Sequence, residues 1–186
     1  MRLNYVGELG WELHLPEEEL PRVHDLLLGA GEQFELGHFG LYAMESLRLE
    51  KCYRSWKADL TNEYSPLHAS LERFVRLDKT ADFIGREALR RQAAAGLTER
   101  FVPLLVEAQD ADAAPVSVVY RGAEAVGLVT SGGYGYRLQR SIALAYVRTA
   151  VSVPGTQLEV EILGERRRAV VAREPLYDPQ NLRLRA

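Results

Sequence analysis

The chain has 186 residues, 47% of them apolar and 26% charged, with a formal net charge of −3. That length suffices for one large or two small domains with cores of their own, and the acidic balance excludes the basic footprint of a nucleic-acid binder. The one cysteine, Cys52, excludes an internal disulfide and any cysteine-based metal cluster.

YVGELGWELHLP, residues 5–16, opens the chain. After Gly10, Trp11, Leu13 and Leu15 alternate with Glu12 and His14, a period of two that predicts a half-buried strand fed by a Gly7–Gly10 turn. Trp11 and Leu13 then face a core and Glu12 faces the other way, toward water or a ligand. A strand this close to Met1 has no preceding partner, and two-stranded units are poorly stable alone, so the chain is expected to be a piece of something longer.

Residues 16–31 predict a helix, with acids at its start, Pro21 in the first turn, Leu20, Val23, Leu26 and Leu27 at helical spacing, and Gly29 or Gly31 at its end. Residues 37–51 predict a second helix striped by Leu41, Met44 and Leu47, in which Glu45 can pair with Arg48. Arg48 and Glu50 sit in an apolar helix end, where a structural tie to the following loop is the favoured role. Residues 52–70 read as an aromatic-studded loop, 71–79 as a strand and 83–96 as a helix closed by Gly96.

Beyond Leu97–Arg100 the pattern changes. Residues 101–108, 116–121, 125–130, 141–147, 158–163 and 168–172 are short β-branched runs separated by turn signals at Gly122, Gly132–Gly133, Pro154–Gly155 and Gly164–Glu165. Such spacing predicts a small antiparallel barrel or sandwich. The expected division is therefore 1–98 and 99–186.

Isolated motifs are weak. SGGYGYR (131–137) does not follow the dinucleotide-binding pattern and precedes strands, so a β-turn is the better reading. His14, His24, His38 and His68 lack metal-ligand spacing, no nucleophile elbow surrounds a serine, and ERRR (165–168) reads as a solvated hairpin turn. No apolar run reaches the ~20 residues needed to span a bilayer. The N-terminus has no signal-peptide core, so a cytoplasmic location is expected, with no membrane and no nucleic-acid partner.

Several blocks together carry more. YVGELGWELHLP, SLRLEKCYRSWKADLTNEYSPLHASLE, DKTADFIGREAL, TSGGYGYRLQRSIALAYV and EPLYDP resemble, in this order, the C-terminal folate-binding region of the dimethylglycine and sarcosine dehydrogenases. More distantly they resemble the aminomethyltransferase of the glycine cleavage system. The resemblance implies an α+β fold, a partial ferredoxin-like folate-binding domain followed by a small antiparallel β-barrel. It also implies tetrahydrofolate as the ligand, with FAD belonging only to a flavin module upstream of this sequence.

In that family the acid matching Glu12 holds the pterin ring and the aromatic matching Tyr5 lies beside it. A pterin presents two adjacent donors and a carboxylate two acceptors, so the pairing is chemically apt, and an aromatic face suits a flat ring. Trp56 and Tyr136 are further pocket candidates, with ordinary core packing as the alternative.

The family's upstream segment, including the acid that organises the reacting folate nitrogen, has no counterpart here, so no catalytic residue is assigned. Arginines of the glycine cleavage branch are replaced by Met44 and, near the barrel hairpin, Val153, which favours the dehydrogenase branch. The implied function is folate-dependent capture of a methylene group from an N-methyl amine. The implied partners are a homodimer mate or a separate flavin-dependent oxidase subunit. The alternative is a non-catalytic scaffold or oligomerisation module with weak or no folate binding.

Overall fold

The computed structural model describes residues 1–185. Three helices precede a sheet: α1 (Leu20–Gly31), α2 (Leu41–Glu50) and α3 (Arg86–Ala95). Six strands follow: β1 (Glu99–Val106), β2 (Val118–Arg121), β3 (Glu124–Gly135), β4 (Arg140–Arg148), β5 (Gln157–Ile162) and β6 (Glu165–Val171). All pairings are antiparallel, and the order β1-β4-β3-β2-β5-β6 closes into a barrel. Closure leaves no open edge among these strands, which is how a short-stranded antiparallel sheet avoids templating aggregation. The fold is α+β, as expected.

β4 shows why residues 141–147 form an unbroken buried run. Ala143, Ala145 and Val147 point into the barrel with Leu104, Val119, Val129, Val160 and Val171. Ile142, Leu144 and Tyr146 point outward onto Leu49, Cys52 and Phe101. A strand covered on both faces has no polar side to alternate with. Tyr64 stacks on the Tyr146 ring at 3.5 Å between centroids, and Phe101 meets it edge-on at 5.3 Å.

Several expected elements differ. Residues 11–15 form no strand; Trp11 makes one bridge to Arg2, and Trp11 and Leu13 are 68% and 57% exposed. The alternation there orders no core face, because no layer packs on either side. Residues 71–79 form no strand: a 3-10 turn at Glu72–Phe74 and a further turn at 77–78 occupy them, and no strand among the described residues pairs with them. Gly132 and Gly133 are not a turn. They lie inside β3, paired with Ala143 and Ile142, and a side chain at Gly132 would meet the Ala113 carbonyl at 2.0 Å. Here glycine serves close packing in a strand. ERRR is likewise β6 rather than a turn, the reversal being made by Leu163 and Gly164 with φ of 50° and 81°.

α2 carries the junction. Its last turn buries Arg48, Glu50 and Lys51, each no more than 3% exposed, beside Leu49. The Arg48 Nη1 donates to Asp59 Oδ2 at 2.8 Å, Nη2 donates to Ser131 Oγ at 2.9 Å, and Nε donates to Glu45 Oε2 at 2.7 Å. Asp59 is fully buried and also accepts from the Ser55 amide at 2.8 Å, from Ser131 Oγ at 2.8 Å and from Thr130 Oγ1. A register shift between Val129 and Ser131 aims these two hydroxyls at one carboxylate, the usual consequence of a bulge. The structural tie expected of Arg48 is therefore present. Glu50, by contrast, forms no ion pair among the described residues: its Oε1 accepts from the Arg137 and Leu138 amides at 2.6 and 3.0 Å, fixing the β3–β4 turn.

Candidate functional site

The four residues singled out from the sequence fall in different surroundings. Tyr5 sits in a turn, half-buried, with its ring 6.3 Å from that of Tyr53 and 16° from parallel. Tyr53 lies just past α2, and its hydroxyl pKa is raised, chiefly by burial. It is the site neighbour that sequence reasoning missed. The available signal was its place three residues after the buried Glu50, at the point where helix gives way to loop.

Glu12 is exposed, with 54% of its side chain in contact with solvent, and its Oε2 lies 3.1 Å from His14 Nε2. Its backbone is held by Met1: the Glu12 amide donates to the Met1 carbonyl at 2.7 Å, and the terminal amine donates to the Glu12 carbonyl at 2.5 Å. The expectation that Trp11 and Leu13 face a core, with Glu12 on the opposite side, is not met within this chain, because all three are exposed. Trp56 is 73% exposed in a turn. Tyr136 is 75% exposed at the β3–β4 turn and meets Tyr134 edge-on at 5.1 Å.

Two cavities meet at that turn. One, of about 1340 Å³, is lined by Val106–Asp110, Tyr134, Tyr136 and Arg167 among others. The second, of about 560 Å³ and more apolar, lies between α2 and β3 and is lined by Tyr42, Leu49, Gly133 and Tyr136. Of the four candidates, Tyr136 alone lines them. Among the described residues the aromatic pairs join Tyr5 to Tyr53 and Tyr136 to Tyr134, and none joins the four candidates to one another.

The loop bearing Tyr5 rests on charged but well-satisfied chemistry. Gly7, at φ 77°, packs so closely on Lys51 that a Cβ there would lie 2.6 Å from the Lys51 Cγ. The Lys51 pKa is lowered, first by burial, with Asp178 opposing. Cys52 is buried, and burial pushes its thiol up to about 12, so it is no nucleophile at neutral pH. Among the described residues no cluster of three or more His, Cys, Asp or Glu side chains is arranged to hold a metal ion, and no helix is long and apolar enough to cross a membrane.

Comparison with known proteins places this geometry in a family. Residues 1–79 match the model described as GCVT N-terminal domain, and residues 100–178 match the Glycine cleavage T-protein C-terminal barrel domain. Human mitochondrial dimethylglycine dehydrogenase is 43% identical over 176 residues, 95% of this chain and 20% of that protein. Mouse mitochondrial sarcosine dehydrogenase is 34% identical over an alignment that takes in all of this chain and 21% of its own length. The aminomethyltransferase of Symbiobacterium thermophilum is 36% identical over 95% of this chain and 47% of its own. The chain thus spans about a fifth of the dehydrogenase relatives and about half of the aminomethyltransferase.

Among solved structures, the glycine cleavage system aminomethyltransferase T of Bartonella henselae superposes with a TM-score of 0.84 at 28% identity, covering 94% of this chain and 48% of its own. The chain belongs to the glycine cleavage T-protein family, in which aminomethyltransferases and the dimethylglycine and sarcosine dehydrogenases are its relatives.

Proposed function

We propose that this chain is the tetrahydrofolate-binding portion of a one-carbon-transfer protein of the dimethylglycine or sarcosine dehydrogenase type. The observation that carries the reading is the parallel Tyr5–Tyr53 step beside the loop that bears Glu12, in a chain collinear with dimethylglycine dehydrogenase over 95% of its length. A half-buried aromatic step offers a flat ring a surface to pack on. The Glu12 carboxylate is accessible and offers paired acceptors to two adjacent ring donors. These residue types suit the face and the edge of a pterin.

Tetrahydrofolate, when bound, supplies the nitrogen centres that accept a one-carbon unit from an N-methyl amine. The chain's own share is to hold and orient the ring: Glu12 fixes its edge and Tyr5 its face, turning an encounter into a positioned reaction. Because Glu12 faces solvent in this chain, water exclusion on that side is assigned to polypeptide outside it, as is the amine-oxidising chemistry and its FAD. A cytoplasmic location belongs to the same proposal; the animal relatives are mitochondrial by name.

The test is calorimetric titration of tetrahydrofolate into the chain and into Glu12→Ala. Micromolar binding that weakens by about tenfold in the variant is expected, the scale of one lost charge-assisted contact. Equal affinities in the two proteins would refute the assignment of Glu12.

A second reading has an observation of its own. Residues before Leu49 expose Trp11, Leu26, Phe34, Phe39 and Tyr42, each at least 59%, and where such side chains join into one patch they mark an interaction site. A non-catalytic scaffold that self-associates through these side chains would bind no folate and would run as a dimer on size-exclusion chromatography.

A further inference from the structure

Lys51 is 3% exposed at the C-terminal end of α2, and its ammonium carries three protons. All three find acceptors on one short stretch near the C-terminus: the Tyr177 carbonyl at 3.1 Å, the Asp178 carbonyl at 2.9 Å and Asn181 Oδ1 at 2.8 Å. The Asp178 carboxylate stands off at 3.9 Å because it is engaged elsewhere, accepting from the Leu182 and Arg183 amides at 2.9 and 3.1 Å. A buried cation is tolerated when its donors are used in this way.

The same side chain has a second client. Its methylene stem lies directly under Gly7, where φ is 77° and a Cβ would come within 2.6 Å of Cγ and 2.9 Å of Cδ. A lysine is apolar along its stem and polar at its head. This one places the Tyr5–Gly10 loop on the stem and residues 177–181 on the head. Its neighbours reinforce both sides: the Glu50 carbonyl accepts from the Tyr177 amide at 2.9 Å, and Tyr53 stacks on Tyr5.

We propose that Lys51 is a positioning residue, coupling the Tyr5–Gly10 loop to the C-terminal segment so that the caging of its head at residues 177–181 fixes the height of the Tyr5 ring. The consequence for ligand binding rests on the folate reading above; the coupling itself does not. Freeing the head lets the stem move, and the loop loses the floor to which Gly7 is fitted. Crowding the stem from Gly7 pulls the head from its acceptors.

Hydrogen exchange read by mass spectrometry on the intact 186-residue chain tests this. Asn181→Ala removes one acceptor and should speed exchange across residues 5–10 by on the order of tenfold, the scale of one charge-assisted hydrogen bond. Gly7→Ala should do the same across residues 174–185. The barrel strands should keep their protection in both, and in a Lys51→Met background neither substitution should alter exchange in the other's segment. Substitutions that loosen only their own segment would overturn the proposal. So would coupling that persists in Lys51→Met but vanishes in Arg2→Ala, because Arg2 donates to the Leu184 carbonyl at 2.5 Å and offers a rival route. Where the wild-type chain binds tetrahydrofolate, Asn181→Ala should weaken binding several-fold with Glu12 intact. A wild-type chain that binds none would remove the folate reading and leave the exchange result standing.

Discussion

The barrel and the residues before it bury side chains by different means. Inside the barrel Leu104, Ala143, Ala145, Val147 and Val160 are completely removed from water, and every one of them is aliphatic. Before Arg48 only Gly7 and Gly31 are buried, and at the junction itself the buried set includes Arg48, Glu50, Lys51 and Asp59. The barrel closes on dispersion and the hydrophobic effect, which are tolerant of identity and sensitive to volume. The junction closes on hydrogen-bonded charge, which tolerates no missing partner. Position on a continuous face makes a barrel residue important, whereas having several partners at once makes a junction residue important.

Removing Asp59 should break this contrast most severely. Asp59→Ala removes one of the two carboxylates paired with the buried Arg48 guanidinium, leaving Glu45 as the other, and takes the acceptor from the Ser55 amide and two β3 hydroxyls. A loss of about 3–5 kcal/mol is expected by chemical denaturation, the scale of removing one partner from a buried ion pair. Leu104→Ala, in the barrel, should cost about 2–5 kcal/mol through cavity formation, with conservative Leu104→Met costing less than about 1.5. No equally mild substitute should exist for Asp59: Asp59→Asn should recover only part of the loss. Equal tolerance at the two sites would erase the distinction between barrel and junction.

A pH experiment sharpens it at Cys52. The folded thiol is raised from 9.0 to about 12, chiefly by burial. A raised acid contributes stability fully below its unfolded value and loses it as pH climbs through the folded one. Stability should therefore fall between about pH 9 and 12, and Cys52→Ala should flatten part of that limb. Tyr53, Tyr64 and Tyr146, also raised by burial, act with the same sign and keep the rest of it. An alkaline limb unchanged in Cys52→Ala would show that the thiol is not shielded.

The smallest effect is expected at α1. Leu26 is 59% exposed and Leu27 47%, so Leu26→Ala should change stability by no more than about 0.5 kcal/mol. A larger loss in dilute chain would mean that this helix is covered in solution, which size-exclusion chromatography of the same variant would register as loss of a dimer.

Much of the barrel is written in its own residues. Runs such as LEVEIL alternate, SIALAYV does not, and both facts follow from how many faces a strand has covered. The end of α3 before Gly96 (φ 82°) is local chemistry too, whereas α1 runs past Gly31 into a 3-10 turn and reverses at Glu35 (φ 55°). The same pattern rules failed at Trp11–Leu15, where alternation met no packing layer, and at Gly132–Gly133, where glycine answers to the nearby Ala113 backbone rather than to a turn. As for the candidate site, Tyr5 was legible through family resemblance, but its partner Tyr53 was not.

The sequence by itself determined most of the barrel strands, the end of α3 and the family, because periodicity, turn chemistry and collinear motifs act over a few residues at a time. Only the tertiary structure decided that Arg48, Glu50 and Lys51 turn inward, each to partners far along the chain at Asp59 and Ser131, Arg137 and Leu138, or Tyr177 to Asn181. A charged side chain is buried when its hydrogen bonds are met, and where those partners stand is fixed by the closed barrel and not by the residue's own neighbours.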